Sequence, residues 1–287
     1  MSETNNQVQI VRGSNRLSVR LQPRPPSLYL HAFLTALQTT FFVLFAFHLF
    51  LQPCLALSNG EIHTFQTLLR DKPIGERIAF WAERFIGVPY DMDPLGAYVS
   101  KATIVSDESV DCMYLTFRAV ELALSDTPEE AIQVALERRF HSKGILRNGH
   151  VSNYDDRFEY GEDMIESGKW GEEITSEVGK VTKIKGSRGR EFVEVLPADA
   201  LLQGMGNLRS GDLLFFAKKP EKREVGEIIG HMGIVGVMEA GRNQQNREVL
   251  LIHASGTKRK GGVVKKVRLR EYLSKMPFIG VKITRLQ

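Results

Sequence analysis

The chain has 287 residues, with 38 Lys plus Arg against 34 Asp plus Glu, 43% apolar residues and two cysteines. That length fits one large domain with appendages or two small domains, and the charged and aromatic content excludes globally disordered, collagen-like and low-complexity classes. Four arginines (Arg12, Arg16, Arg20 and Arg24) against Glu3 place a net +3 in residues 1–60 and leave +1 for the rest, so the folded part is nearly neutral and does not look like a nucleic-acid binder.

Pro25 to Gly60 contains no charged residue, and Phe41 to Leu51 reads FFVLFAFHLFL. Basic residues, an apolar run, then Pro53, Cys54 and Ala56 have the layout of a secretory signal, with cleavage after Ala56. The apolar stretch from Leu28 to Leu51 is also long enough to span a bilayer uncut. In either case residues 1–57 form a signal or signal anchor, and the remainder is expected to be exported, in the periplasm or another extracytoplasmic space. Cleavage would leave one cysteine, Cys112, which cannot form an internal disulfide and is then an apolar filler, an intermolecular linker or a reactive group.

The domain is expected to span 61–287. Ile74, Ile78, Trp81, Ala82 and Phe85 repeat at helical spacing, predicting an amphipathic helix over 74–86 ended by Gly87 and Pro89. A second helix is predicted from about Cys112 to Leu124 with Asp111 as N-cap, and a third from Pro128 to about Phe140, opened by a Thr127–Glu130 capping box. Residues 141–200 are polar and rich in Gly, with few periodic signals. Tyr154, Asp155, Tyr160 and Trp170 in this stretch read as loop anchors and solvated charges, or as the wall of a sugar and peptide pocket. Strands follow at Asp212–Phe216, Met232–Met238, Glu248–His253, Val263–Leu269 and Phe278–Thr284. Helices first and strands later predict an α+β domain with an antiparallel sheet. The seven basic residues between Lys258 and Arg270 alternate with valines and leucine, as in a strand with one solvated face.

The chemistry concentrates at three positions. Cys112 lies at a predicted helix N-terminus, where free N–H groups and the helix dipole favour an anion and should lower the thiol pKa. His231 begins one strand and His253 ends the next. A hairpin through Ala240–Arg247 whose paired residue numbers sum to 484 would set the two rings opposite each other on one face. A thiolate beside an imidazole held by a third polar group is what nucleophilic acyl transfer needs. Zinc is a weaker reading, because no close-spaced Cys or His pair nucleates a site.

The strings IGVPY (86–90), VDCMYLTF (110–117), SGDLLFF (210–216), HMGIV (231–235) and LIHAS (251–255) occur in the order found in NlpC-like, papain-related cell-wall hydrolases, which the chain resembles over about 74–125 and 205–284. The resemblance implies a papain-like fold with N-terminal helices on a mixed, mainly antiparallel sheet, interrupted here by an insertion at about 141–200. It implies Cys112 as nucleophile, His231 as base and then acid, and His253 as third member. Tyr90 would orient the substrate or oxyanion, and Asp111 would bind the amine end of a stem peptide. Met113 departs from the small residue common after the cysteine. The insertion and the string NYDDRF most resemble the N-acetylmuramoyl-L-alanine amidase branch, which needs no cofactor or metal. The expected partners are peptidoglycan fragments, with no nucleic acid, and the membrane only through an uncleaved leader. The alternatives are an endopeptidase cutting between D-Glu and the diamino acid, and a muropeptide-binding module without activity.

Overall fold

The computed structural model describes residues 57–239 and 247–287. The charged leader, the apolar run at 41–51 and the tip of the 240–246 hairpin lie outside the described residues. Among those described, no helix is long and apolar enough to cross a membrane. The described residues belong to one compact unit that runs to Gln287.

Four helices of about three turns open the unit, α1 (Asn59–Leu69), α2 (Ile74–Arg84), α3 (Cys112–Ala123) and α4 (Pro128–Arg138), with a single turn at Ala97–Ser100 between α2 and α3. The first was not anticipated from the sequence, although Ser58 and Glu61 form a reciprocal capping box at its start. Helix α3 starts where expected, with the Asp111 carboxylate accepting from Tyr114 N at 2.8 Å. Its apolar face is not a stripe. Every residue from Tyr114 to Ala123 is buried, which makes α3 the central helix of the domain. Its two buried charges are paired, Arg118 with Asp107 and Glu121 with Arg139. At α4 only half of the expected box forms, because Thr127 accepts from Glu130 N while the Glu130 carboxylate reaches Asp126 N instead.

The main sheet contains β1 (Glu172–Glu173), β2 (Leu213–Ala217), β3 (Ile229–Glu239), β4 (Arg247–Thr257), β5 (Gly261–Arg268) and β6 (Gly280–Arg285), in the order β1-β6-β2-β3-β4-β5. All neighbours are antiparallel, so the α+β class is observed, and the sheet is wholly antiparallel where the resemblance implied a mixed, mainly antiparallel one. Strand alternation splits the sheet into two faces. Phe215, Met232, Ile234 and Ile252 join Trp81, Leu115 and Phe117 in the core beneath the helices. Phe216, Val235, Leu251 and Ile283 form a second core on the other face, where Tyr272 of α6 (Leu269–Leu273) and Phe278 pack.

The 141–200 stretch is ordered into short pieces: hairpins at Leu146–Val151 and Thr182–Val195, helix α5 (Gly161–Glu166), the edge strand β1 and a helix at Ala198–Gly204. Aromatic side chains fasten it to the core. Trp170 is fully buried with its ring 4.7 Å from that of Phe117, and the buried Tyr154 donates to Thr103 O. Asp155 is exposed. Tyr154 and Trp170 are thus anchors.

Candidate active site

Cys112 is the first residue of α3, half-buried, with the helix fixed behind it by the Asp111 cap. His231 enters from β3, where the β2–β3 ladder slips: Phe216 faces His231 and Ala217 faces Ile229, so Gly230 is an extra residue in a bulge. A side chain at Gly230 would collide with that of Lys218, its Cβ lying 2.6 Å from Lys218 Cγ. Cys112, His231, Met232, Tyr90, Asp111 and Lys258 line one cleft of about 280 Å³. A larger groove of about 970 Å³, bordered by Gly75, Glu76, Asp212, Arg247 and Arg285, contains none of the three predicted catalytic residues.

The two histidines meet, with His231 Nε2 at 2.8 Å from His253 Nδ1 and the rings edge to face. The register differs from expectation. Ile234 faces Ile252 and Met238 faces Glu248, so paired residues sum to 486, two more than predicted. A shift of two preserves the face of every side chain, and the rings therefore meet on a diagonal instead of squarely. The residue between them on β3 is Gly233, where an added Cβ would lie 3.2 Å from His253 Cβ and 2.5 Å from Leu251 Cδ1. The bare position leaves room for the rings to lean together.

Both imidazoles belong to the second core. His231 stacks on Phe216 and lies nearly parallel to Phe278, while Tyr272 stands 5.0 Å from the His253 ring. Burial drives the His231 pKa down to about 3, assisted by His253, and that of His253 down to about 4, assisted by Lys265. Both rings are neutral near pH 7.

The thiol departs from expectation. The helix N-terminus should favour a thiolate, yet burial pushes the Cys112 pKa up to about 12, and the Asp111 carboxylate adds to the rise. The backbone N–H groups of Met232 and Cys112 and the Lys258 ammonium act in the opposite sense without prevailing. A dipole of about half a charge is a smaller influence than removal of a thiolate from water. The resting site is therefore a thiol with neutral imidazoles.

Tyr90 lies beside the cysteine. Its phenol is held above the usual range by burial, then by Cys112, Asp111 and Asp91, and Gly256 packs under its ring. Asp111 is committed: one carboxylate oxygen caps α3 and the other lies 3.3 Å from Lys258 Nζ. An amine could reach this carboxylate only with Lys258 displaced. Sequence reasoning missed Lys258, because it sits in a run of basic residues that reads as a solvated face. It also missed Tyr272, whose helix of five residues is too short to leave a periodic signal.

No family model matches the sequence, and no curated protein does. Among solved structures the chain is similar to an N-acetylmuramoyl-L-alanine amidase from Bacteroides uniformis, with 21% identity and a TM-score of 0.55 over 75% of this chain and 99% of that one. It is also similar to a Legionella pneumophila protein of the family DUF1460, with 17% identity and a TM-score of 0.58 over 78% and 93% of the two chains. At such identities the likeness establishes a common α+β fold, spanning nearly the whole of both neighbours.

Proposed function

We propose that the protein is a cysteine-dependent hydrolase of peptidoglycan fragments, built on a papain-like fold of the NlpC type and acting as an N-acetylmuramoyl-L-alanine amidase. The observation that carries this reading is the hydrogen bond between His231 and His253, with His231 lining the same cleft as Cys112. The name of the Bacteroides uniformis neighbour supports the substrate class, as do the five motif strings.

The pair dictates the proton route. Because Nε2 of His231 faces His253, Nδ1 is the nitrogen left for the thiol. For Nδ1 to accept a proton, Nε2 must carry hydrogen and donate it to His253 Nδ1. His253 then fixes the tautomer and steadies the imidazolium. With thiol and rings neutral at rest, the proton passes to His231 Nδ1 as sulfur attacks the lactyl carbonyl carbon. The C–N bond breaks with transfer of that proton to the L-Ala nitrogen, leaving a thioester. Water, deprotonated by the same imidazole, releases the acid and restores the thiol. The N–H groups of Cys112 and Met232 face the sulfur, and such donors stabilise an oxyanion by several kcal/mol in related chemistry.

The leader directs this activity to an exported, peptidoglycan-facing compartment. The test is digestion of defined muropeptides with mass analysis of the products. Free sugar and an intact stem peptide are expected, whereas a sugar still bearing a dipeptide would establish the endopeptidase instead. Absence of turnover with retained binding of the muropeptide would establish a binding module.

A further inference from the structure

The 141–200 insertion does more than cover the core, for one of its side chains grips the strand that carries His231. Glu162, second residue of α5, is 3% exposed. Its Oε1 accepts from Ile228 N at 3.0 Å and its Oε2 from Ile229 N at 3.1 Å. Successive N–H groups of a regular strand point to opposite sides. One carboxylate can receive both only where the backbone leaves that geometry, and here it does so immediately before the Gly230 bulge that re-aims the chain into His231. Gly161 adds steric fit, since a Cβ there would lie 2.7 Å from Ile229 Cγ2.

The carboxylate is itself held. Arg188 bridges Glu162 and Asp163 and lies 3.5 Å above the Tyr160 ring, while Arg190 bridges Asp163 and Glu166. The same turn reaches the segment preceding β3, with Ser187 donating to Gly226 O and Arg223 donating to Gly186 O. A shell of ion pairs thus surrounds one buried carboxylate, and that carboxylate touches backbone two and three residues from the histidine. Motion of this backbone would change the distance between the rings, because Gly230 offers no side chain to resist it.

We propose that Glu162 is a positioning residue for His231, holding the bulged entry of β3 so that the His231–His253 hydrogen bond and the place of His231 in the cleft lined by Cys112 persist. The proposal rests on the amidase reading for its consequence in turnover, but the histidine geometry can be tested without it. Glu162→Gln offers one acceptor and presents an NH₂ to the other backbone N–H. Asp163→Ala serves as a comparison, since it weakens the same ion-pair shell without touching the strand.

Ring-nitrogen NMR of labelled histidine and steady-state kinetics on a muropeptide are the readouts. In Glu162→Gln the hydrogen-bonded signature of His231 Nε2 and His253 Nδ1 should be lost, with kcat down about 10²-fold, the scale of a misplacement near 1 Å, and KM little changed. Asp163→Ala should lower the melting temperature and keep the signature. If Glu162→Gln does not fold, Arg188→Ala, which loosens the carboxylate without removing it, should weaken the signature in the same direction. A wild-type ring-nitrogen pattern in the folded variant so tested overturns the proposal, whatever the kinetics. Absence of turnover in the wild-type protein would instead refute the amidase reading and leave the NMR comparison intact.

Discussion

The two faces of the sheet bury polar groups in opposite ways. Beneath the helices, Arg139 and Glu121 are both fully enclosed and remain charged partners, with Nε and Nη2 of the arginine each meeting a carboxylate oxygen and the guanidinium also lying over the rings of Tyr114 and Phe117. On the other face, His231 and His253 are walled by Phe216, Tyr272 and Phe278 and, among the described residues, have only each other as a side-chain hydrogen-bonding partner. A charge can be kept in a low-dielectric interior when an opposite charge is supplied with it. Without one, the group stays neutral, and a neutral imidazole is the form that can accept a proton.

The sharpest way to break this comparison is at the sulfur that the proposed mechanism assigns to the neutral pair. Cys112→Ala should abolish turnover on muropeptides while leaving the melting temperature close to that of the wild type, since the side chain packs only at the border of the core; residual turnover would remove Cys112 from the chemistry. On the helix face, Glu121→Gln should lower stability by about 3–5 kcal/mol, the usual result of leaving one partner of a buried pair uncompensated, measurable by urea unfolding. An effect under about 1 kcal/mol would show that the pair is solvated.

The histidine face should reveal itself through pH. In the unfolded chain both rings titrate near 6.5, whereas in the folded chain they are depressed to about 3 and 4. Below 6.5 the unfolded state therefore binds more protons than the native state, and stability falls as pH drops from 6.5 toward the folded values; above 6.5 this contribution is flat. Thermal unfolding at pH 7 and pH 5 should show the loss, and replacing both histidines by glutamine should reduce it. The smallest change should come from Tyr272→Ala, which admits water beside His253 and moves the ring titrations upward toward 6.5, as followed by NMR. Unmoved titrations would mean that Tyr272 does not seal the pair.

Much of this was legible wherever the determinants are local. The Asp111 cap, the start of α3 and the alternating strands follow from neighbouring residues, and both histidines fell on one face because strand parity survives a shift of two. The register itself was not legible, because local alternation cannot distinguish registers that differ by two residues. The thiol was misjudged for a related reason. Helix position is local, but the burial that outweighs it is created by strands more than a hundred residues away. Glu162 was invisible in the acidic string EYGEDMIE, which reads as a solvated turn until α5 is seen folded against Ile228 and Ile229.

One last consequence concerns the clearance at Gly233. Glycine is a poor strand residue, with more backbone freedom to lose than any other and nothing to pack. The protein accepts that weakness in the middle of its central ribbon, beside the groups whose alignment matters most. In the proposed mechanism the proton path therefore depends on an atom that is missing as well as on those present: the two rings can lean into contact because the chain between them has no flesh.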